Sequence, residues 1–269
     1  MGLRSLIAVS KSRHRTYMHA KYFIEGEPAL SLIAQLGCPF HCTFCSGRNS
    51  PFLRKIRLRD IDAVVDEVEM LYLTYGVKGF MFYDDELNVN KNMVPMMNKL
   101  CDLQDKHGVD FMLRGFVKAE LFNDEQADAM YRAGFRWLLT GFESGDPTIL
   151  SNIKKIAKRE DNTRCVEIAK RHNLKVKALM SIGHAGESAQ TVENTKNWLL
   201  EVEPEDFDCT IITTYPGSPY FDDAVKEGDY YVYTDKKSGD KLYQASLNYL
   251  VDQDYYKRSE ERRVGKECR

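Results

Sequence analysis

Three cysteines fall within a stretch of eight residues, in the run Gly37-Cys38-Pro39-Phe40-His41-Cys42-Thr43-Phe44-Cys45. Thiolates are soft, charged donors, and three of them on one loop can converge on a single metal centre. Three protein ligands leave one position of the centre open, which suits catalysis better than scaffolding, because structural zinc is normally closed by four ligands. Zinc held by the three cysteines with His41 is the competing reading, but His41 adjoins Cys42 and is awkwardly placed to join the same tetrahedron. Of the other four cysteines, Cys101, Cys165 and Cys209 read as packing residues, and Cys268 lies in an atypical tail. An odd set of seven with no signal peptide before it excludes a secreted disulfide framework.

A loop of this kind needs a frame, and the chain carries a strand-then-helix rhythm. Apolar runs that read as buried strands are Leu32–Leu36, Phe80–Tyr83, Phe111–Phe116, Trp137–Phe142, Val176–Ile182 and Cys209–Thr214. Amphipathic stretches between them predict helices over Asp60–Tyr75, Asp124–Ala133, Asp161–His172 and Glu187–Glu201. Asn123 and Gly134 are the expected caps of the second, and Pro204 closes the last. Six such units with short crossovers imply an α/β fold, a partial (β/α)6 TIM-like barrel of parallel strands, with its chemistry at the C-terminal strand ends. No Gly-x-Gly-x-x-Gly opens the first helix, which speaks against an open dinucleotide-binding sheet.

Composition narrows the function classes. Apolar residues make up 43% of 269, enough for a real core. With 38 Lys+Arg against 40 Asp+Glu the net charge is −2, without the basic excess of a general nucleic-acid binder. No apolar run is long enough to span a bilayer, so the expected setting is cytoplasmic. Residues 1–29 read as a basic lead-in, 30–228 as the catalytic core and 229–257 as a Tyr-rich packed extension. Residues 258–269 (RSEERRVGKECR) translate back into a widely used sequencing adapter and are expected to be foreign, with native residues lost behind them. Without that tail, with its five basic and three acidic residues, the net charge becomes −4.

The strand ends are polar, as such a barrel requires. The second ends in Phe82-Tyr83-Asp84-Asp85 and the fourth in Gly141-Phe142-Glu143-Ser144-Gly145, followed by Leu150, Ile153 and Lys155. The fifth ends in Ser181-Ile182-Gly183-His184-Ala185-Gly186-Glu187 and the sixth in Tyr215-Pro216-Gly217-Ser218-Pro219. Together with C-x3-C-x2-C after the first strand, this order of motifs resembles the radical S-adenosylmethionine (radical SAM) superfamily over residues 30–225. The pattern is most similar to its cobalamin-associated subgroup, although Ala185 stands where that family usually has Pro.

The resemblance implies that Cys38, Cys42 and Cys45 hold three irons of a 4Fe–4S cluster whose fourth iron binds SAM. One-electron cleavage of SAM would then yield a 5′-deoxyadenosyl radical that abstracts hydrogen from a small-molecule or natural-product substrate. An external reductant of the flavodoxin or ferredoxin type would supply the electron. It further implies that Tyr83, Asp84 or Asp85 meet the SAM ammonium group, and that Arg114 or Lys155 meets its carboxylate. Glu143, with Ser144 beside it, would accept from the ribose hydroxyls. Phe44 would shield the cluster, and Gly183 and Gly186 would admit the cofactor close to the backbone. For each, a plainer role is open: Asp84 and Asp85 as helix caps, Arg114 paired with an acid, His184 as a hydrogen-bonded loop histidine. The 29 residues before the core are too few for a cobalamin-binding domain, so the chain is either a cobalamin-free relative or a fragment of a cobalamin-dependent methyltransferase. A non-enzymatic zinc or iron–sulfur module is the remaining alternative.

Overall fold

The computed structural model describes residues 23–46 and 50–244. Most of the lead-in, the tail 258–269 with Cys268, and Tyr249, Tyr255 and Tyr256 lie outside the described residues. The first half of the chain runs β1 (Phe23–Ile24), β2 (Glu27–Leu32), β3 (Gln35–Leu36), α1 (Pro51–Arg54), β4 (Arg57–Leu58), α2 (Ile61–Tyr75), β5 (Gly79–Phe82), α3 (Met93–His107), β6 (Met112–Phe116) and α4 (Asp124–Arg132). The second half runs β7 (Phe135–Glu143), α5 (Pro147–Asn152), α6 (Arg159–Arg171), β8 (Lys175–Ile182), α7 (Ala189–Val202), β9 (Asp206–Ile211), α8 (Pro219–Asp222), β10 (Val225–Glu227), β11 (Tyr230–Thr234) and β12 (Lys241–Gln244). Seven strands form one sheet in the order β1-β2-β5-β6-β7-β8-β9. β1 is antiparallel to β2, whereas β2 with β5, β5 with β6, β6 with β7, and β8 with β9 pair in parallel. β10, β11 and β12 make a separate antiparallel sheet. Among the described residues no helix is long and apolar enough to cross a membrane.

Two compact units share the chain, one formed by residues up to Gln35 with Leu58–Leu139 and Ile168–Val176, the other by Leu36–Arg57, Thr140–Glu167 and residues from Lys177. In the first, all four residues of β5 are buried, as a parallel strand covered on both faces demands. Phe80 packs edge-on against Phe111, and Phe82 stacks on Phe135. In the second, Phe142 meets the fully buried Trp198 edge-on, and Trp198 donates its indole N–H to Thr163 Oγ1. Local signals set the helix starts. Asp60, Asn123 and Asp146 each accept backbone N–H groups of the first turn, and Ser188 with Thr191 forms a capping box. α4 begins after Asn123 as expected, and Gly134 follows its end.

Several elements depart from the sequence reading, the short helices α1, α5 and α8 among them. α3 has no expected counterpart, although Met93, Met96, Met97, Leu100 and Leu103 recur at helical spacing and are buried. Pro95 breaks the pattern to the eye, yet in the first turn its missing N–H costs nothing. The last parallel strand lies at Asp206–Ile211 rather than Cys209–Thr214, and all six of its residues are exposed. It is an edge strand, with Lys177 bridging Asp206 and Asp208 at 2.9 Å each. Cys209 is accordingly exposed, not a packing residue, whereas Cys165 is buried.

The first strand is also displaced. The run Leu32–Leu36 is split, because β2 ends at Leu32 and the chain then turns toward Asp84. Asp84 is 1% exposed, and its carboxylate accepts the N–H of Ala34 at 3.1 Å and of Gln35 at 2.6 Å. A side chain at the end of β5 thereby replaces the strand neighbour those two amides would otherwise need. Burial pushes the Asp84 carboxyl up to about 6, with the two amides pulling the other way. An unfolded chain ionises this group near 3.8, so the folded state holds the extra proton between roughly pH 4 and 6, and Asp84 weakens the fold as pH rises through that window. At 1.36 kcal/mol per pKa unit the full effect is about 3 kcal/mol. The stability advantage of the wild type over D84N, read from urea unfolding, should therefore fall by about that amount between pH 4 and 7. A difference constant with pH would contradict the assignment.

Candidate functional site

The cysteine loop belongs to the second unit and is tied down from several sides. Cys38 donates its N–H to Leu53 O, the guanidinium of Arg54 donates to Pro39 O, and Cys45 N–H closes a turn on Cys42 O. Thr43, buried, donates its backbone N–H to Ile153 O at 2.8 Å and its hydroxyl to Asn152 O at 3.3 Å. Those carbonyls belong to the end of α5, so the loop rests on the segment that carries Leu150, Ile153 and Lys155. Phe44 turns inward against Ile149, Leu150 and Ile153 and against Ala185, Tyr220 and Tyr233. Its ring centroid lies 5.5 Å from that of His184. Cys45 is exposed, and Cys38 and Cys42 are half-buried.

Among the described residues no three His, Cys, Asp or Glu side chains are gathered as ligands of one ion. A cubane cluster asks for less, because each thiolate binds a different iron and the three sulfurs stand farther apart than donors to a single ion. Three half-exposed thiols on one anchored loop, with an aromatic ring turned in behind them, fit a three-ligand cluster better than zinc closed by His41.

Glu143 ends β7 with φ 64°, a left-handed conformation that costs a non-glycine residue about 1–2 kcal/mol. The turn is held by its side chain. Lys155 Nζ lies 3.3 Å from Oε1, and Ser181 Oγ donates to Oε2 at 2.8 Å. The Glu143 and Lys155 side chains are 14% and 5% exposed, so this is a largely buried ion pair, which breaking on one side leaves badly uncompensated. Residues 141 and 143 face the same side of the strand. A Cβ on Gly141 would stand 2.6 Å from Glu143 Oε1, so Gly-x-Glu is a steric requirement of the folded-back carboxylate. Behind Ser181, His184 is 2% exposed, with Nε2 2.7 Å from Ser181 Oγ and Nδ1 3.2 Å from Tyr220 Oη. Burial pushes His184 down to about 4, so it is neutral at physiological pH, the hydrogen-bonded loop histidine that the plainer reading expects.

The remaining expected residues divide. Ser144 is buried and bonded to Thr195 Oγ1 at 2.9 Å, shaping the turn into α5. Gly183 and Gly186 have φ of 93° and 84°. A Cβ on Gly186 would stand 2.7 Å from both Asn152 Nδ2 and Asp240 Oδ2, so that glycine makes room for a hydrogen bond of the protein itself. Tyr83, Asp84, Asp85 and Arg114 belong to the first unit. Asp84 serves the backbone at 34–35, a role neither reading of it included, while Asp85 and Tyr83 are exposed at the end of β5. Arg114 on β6 has Nε 3.0 Å from Met81 Sδ, and among the described residues no ion pair joins it to an acid. Sequence reasoning did not single out Tyr220 or Asn152. Tyr220 follows the Pro-Gly-Ser-Pro turn directly, and that adjacency was the available signal.

A family model described as the radical SAM superfamily matches residues 32–199. The chain is 28% identical over 208 residues to an uncharacterized methyltransferase of Pyrococcus horikoshii, covering 76% of this chain and 44% of that protein. It is 26% identical over 239 residues to the bacteriochlorophyllide d C-12(1)-methyltransferase of Chlorobaculum tepidum, covering 83% and 50%. The chain thus spans about half the length of the curated relatives it matches. Among solved structures, the radical SAM methyltransferase TsrM from Kitasatospora setae, with cobalamin and a 4Fe–4S cluster bound, superposes with a TM-score of 0.66 at 19% identity, over 73% of this chain and 39% of that one. That likeness agrees with the strand order and establishes the α/β fold as the partial TIM-like barrel expected from the sequence. With more than half of its residues matched by the family model, the chain belongs to the radical SAM superfamily.

Proposed function

We propose that residues 30–228 form the catalytic core of a radical SAM enzyme in which Cys38, Cys42 and Cys45 ligate a 4Fe–4S cluster. The observation that carries this reading is the cysteine loop itself, docked through Thr43 onto the α5 end that bears Lys155, with Glu143 paired to that lysine. When bound, the cluster and SAM supply the one-electron cleavage that yields a 5′-deoxyadenosyl radical. The protein's part is to bind, orient and exclude water. Glu143, its rotamer fixed from both sides, offers lone pairs to the ribose hydroxyls. Lys155 is engaged with Glu143, so Arg114, with its planar fork, is the better partner for the SAM carboxylate. Asp84 is engaged with amides, and Asp85 and Tyr83, exposed at the end of β5, are assigned to the ammonium group. Phe44 closes the inner side of the loop against solvent. A small-molecule substrate, a flavodoxin- or ferredoxin-type reductant and a cytoplasmic setting complete the reading.

A second reading is favoured by the relatives. Two of them are named as methyltransferases, and TsrM holds cobalamin. The chain would then be the radical SAM portion of a longer cobalamin-dependent methyltransferase. A longer form of this protein that binds cobalamin and methylates a substrate would support that, and one that cleaves SAM but retains no cobalamin would contradict it.

Anaerobic reconstitution with iron and sulfide should give a brown protein holding about four irons per chain. On reduction it should release 5′-deoxyadenosine from SAM, and C42A should abolish both colour and product. A colourless protein with one zinc per chain would contradict the proposal.

A further inference from the structure

The hydrogen bonds behind Glu143 can be assigned a direction, because each donor in the string has one proton to give. The Glu143 carboxylate accepts, so the single hydroxyl proton of Ser181 goes to Oε2. Toward His184, Ser181 Oγ must then accept, and the proton on that 2.7 Å contact belongs to Nε2. In a neutral imidazole Nδ1 is consequently the acceptor, and it takes the hydroxyl proton of Tyr220. The Tyr220 oxygen in turn accepts the backbone N–H of Ala185 at 3.3 Å. Every polar atom is satisfied in this order. The reverse tautomer would draw the Ser181 proton off Glu143.

We propose that Tyr220 and His184 are positioning residues that, through Ser181, keep a hydrogen bond on Glu143 Oε2 and so hold Glu143 ready for its ligand. The Glu143 carboxylate claims the Ser181 proton and thereby sets the imidazole tautomer, and the Tyr220 hydroxyl meets the Nδ1 lone pair that this tautomer leaves and so holds the ring against Ser181. Removing that hydroxyl leaves Nδ1 a buried acceptor without a donor and loosens the ring that braces Ser181, while the proton stays on Nε2. The ligand assignment rests on Glu143 receiving the SAM ribose, as proposed above, but the tautomer assignment does not.

The test uses the iron-loaded, oxidised protein labelled with 15N-histidine. Imidazole 15N shifts report the His184 tautomer, identified by its loss in H184Q, and equilibrium titration with SAM reports affinity without turnover. The wild type and Y220F should both hold the proton on Nε2, and in Y220F the Nδ1 resonance should move toward that of an imidazole nitrogen without a hydrogen bond. Y220F and S181A should each weaken SAM about tenfold, and the double variant should be no weaker than S181A alone, because Tyr220 acts through Ser181. A His184 proton on Nδ1 in the wild type, an Nδ1 resonance unmoved in Y220F, or losses that multiply in the double variant would overturn the string. Unchanged SAM affinity in E143A together with the expected wild-type tautomer would instead overturn the assignment of Glu143 to SAM.

Discussion

A carboxylate that ends a buried parallel strand is tolerated only when its charge and its lone pairs are met. Glu143 meets that condition through Lys155 on one oxygen and Ser181 on the other, and much of the second unit follows from it. Lys155 can reach only because α5 turns directly after β7, which Asp146 secures by capping it and Ser144 by bracing the turn. Gly141 is required to leave the carboxylate room. The same α5 end that delivers Lys155 also presents the carbonyls on which the cysteine loop rests. One ion pair therefore links the strand end, the helix and the loop that carries the thiols.

Asp84 shows the same principle in the first unit with a different outcome. Its carboxylate is engaged by two amides just past the end of β2, so it shapes the course of the chain at residues 34–35. Each carboxylate stands at the C-terminal end of a parallel strand of its own unit, and the two have unlike tasks.

Much of this was legible in the residues. Apolar runs of four to seven residues placed most of the parallel strands, and Asn123 announced the start of α4. The cysteine spacing and the Gly-x-Glu, Gly-His-Ala-Gly-Glu and Pro-Gly-Ser-Pro strand ends carried the family. What the sequence hid were matters of three-dimensional pairing. Apolar character marked Cys209 and Ile211 for burial, but an edge strand exposes both. Pro95 masked α3 because a proline's effect depends on which turn it occupies. The roles of Asp84, Gly186 and Tyr220 depend on partners some 35 to 55 residues away, which no local pattern encodes.

The central claim is that three cysteines hold a cluster with one iron left open to SAM. Electron paramagnetic resonance of the anaerobically reduced protein, with and without SAM, tests it most directly. The expected spectrum is that of a reduced 4Fe–4S cluster whose g-values shift when SAM is added, because the ligand enters the coordination of the open iron. A spectrum unaltered by saturating SAM, or no cluster signal from a protein loaded with iron and sulfide, would contradict it.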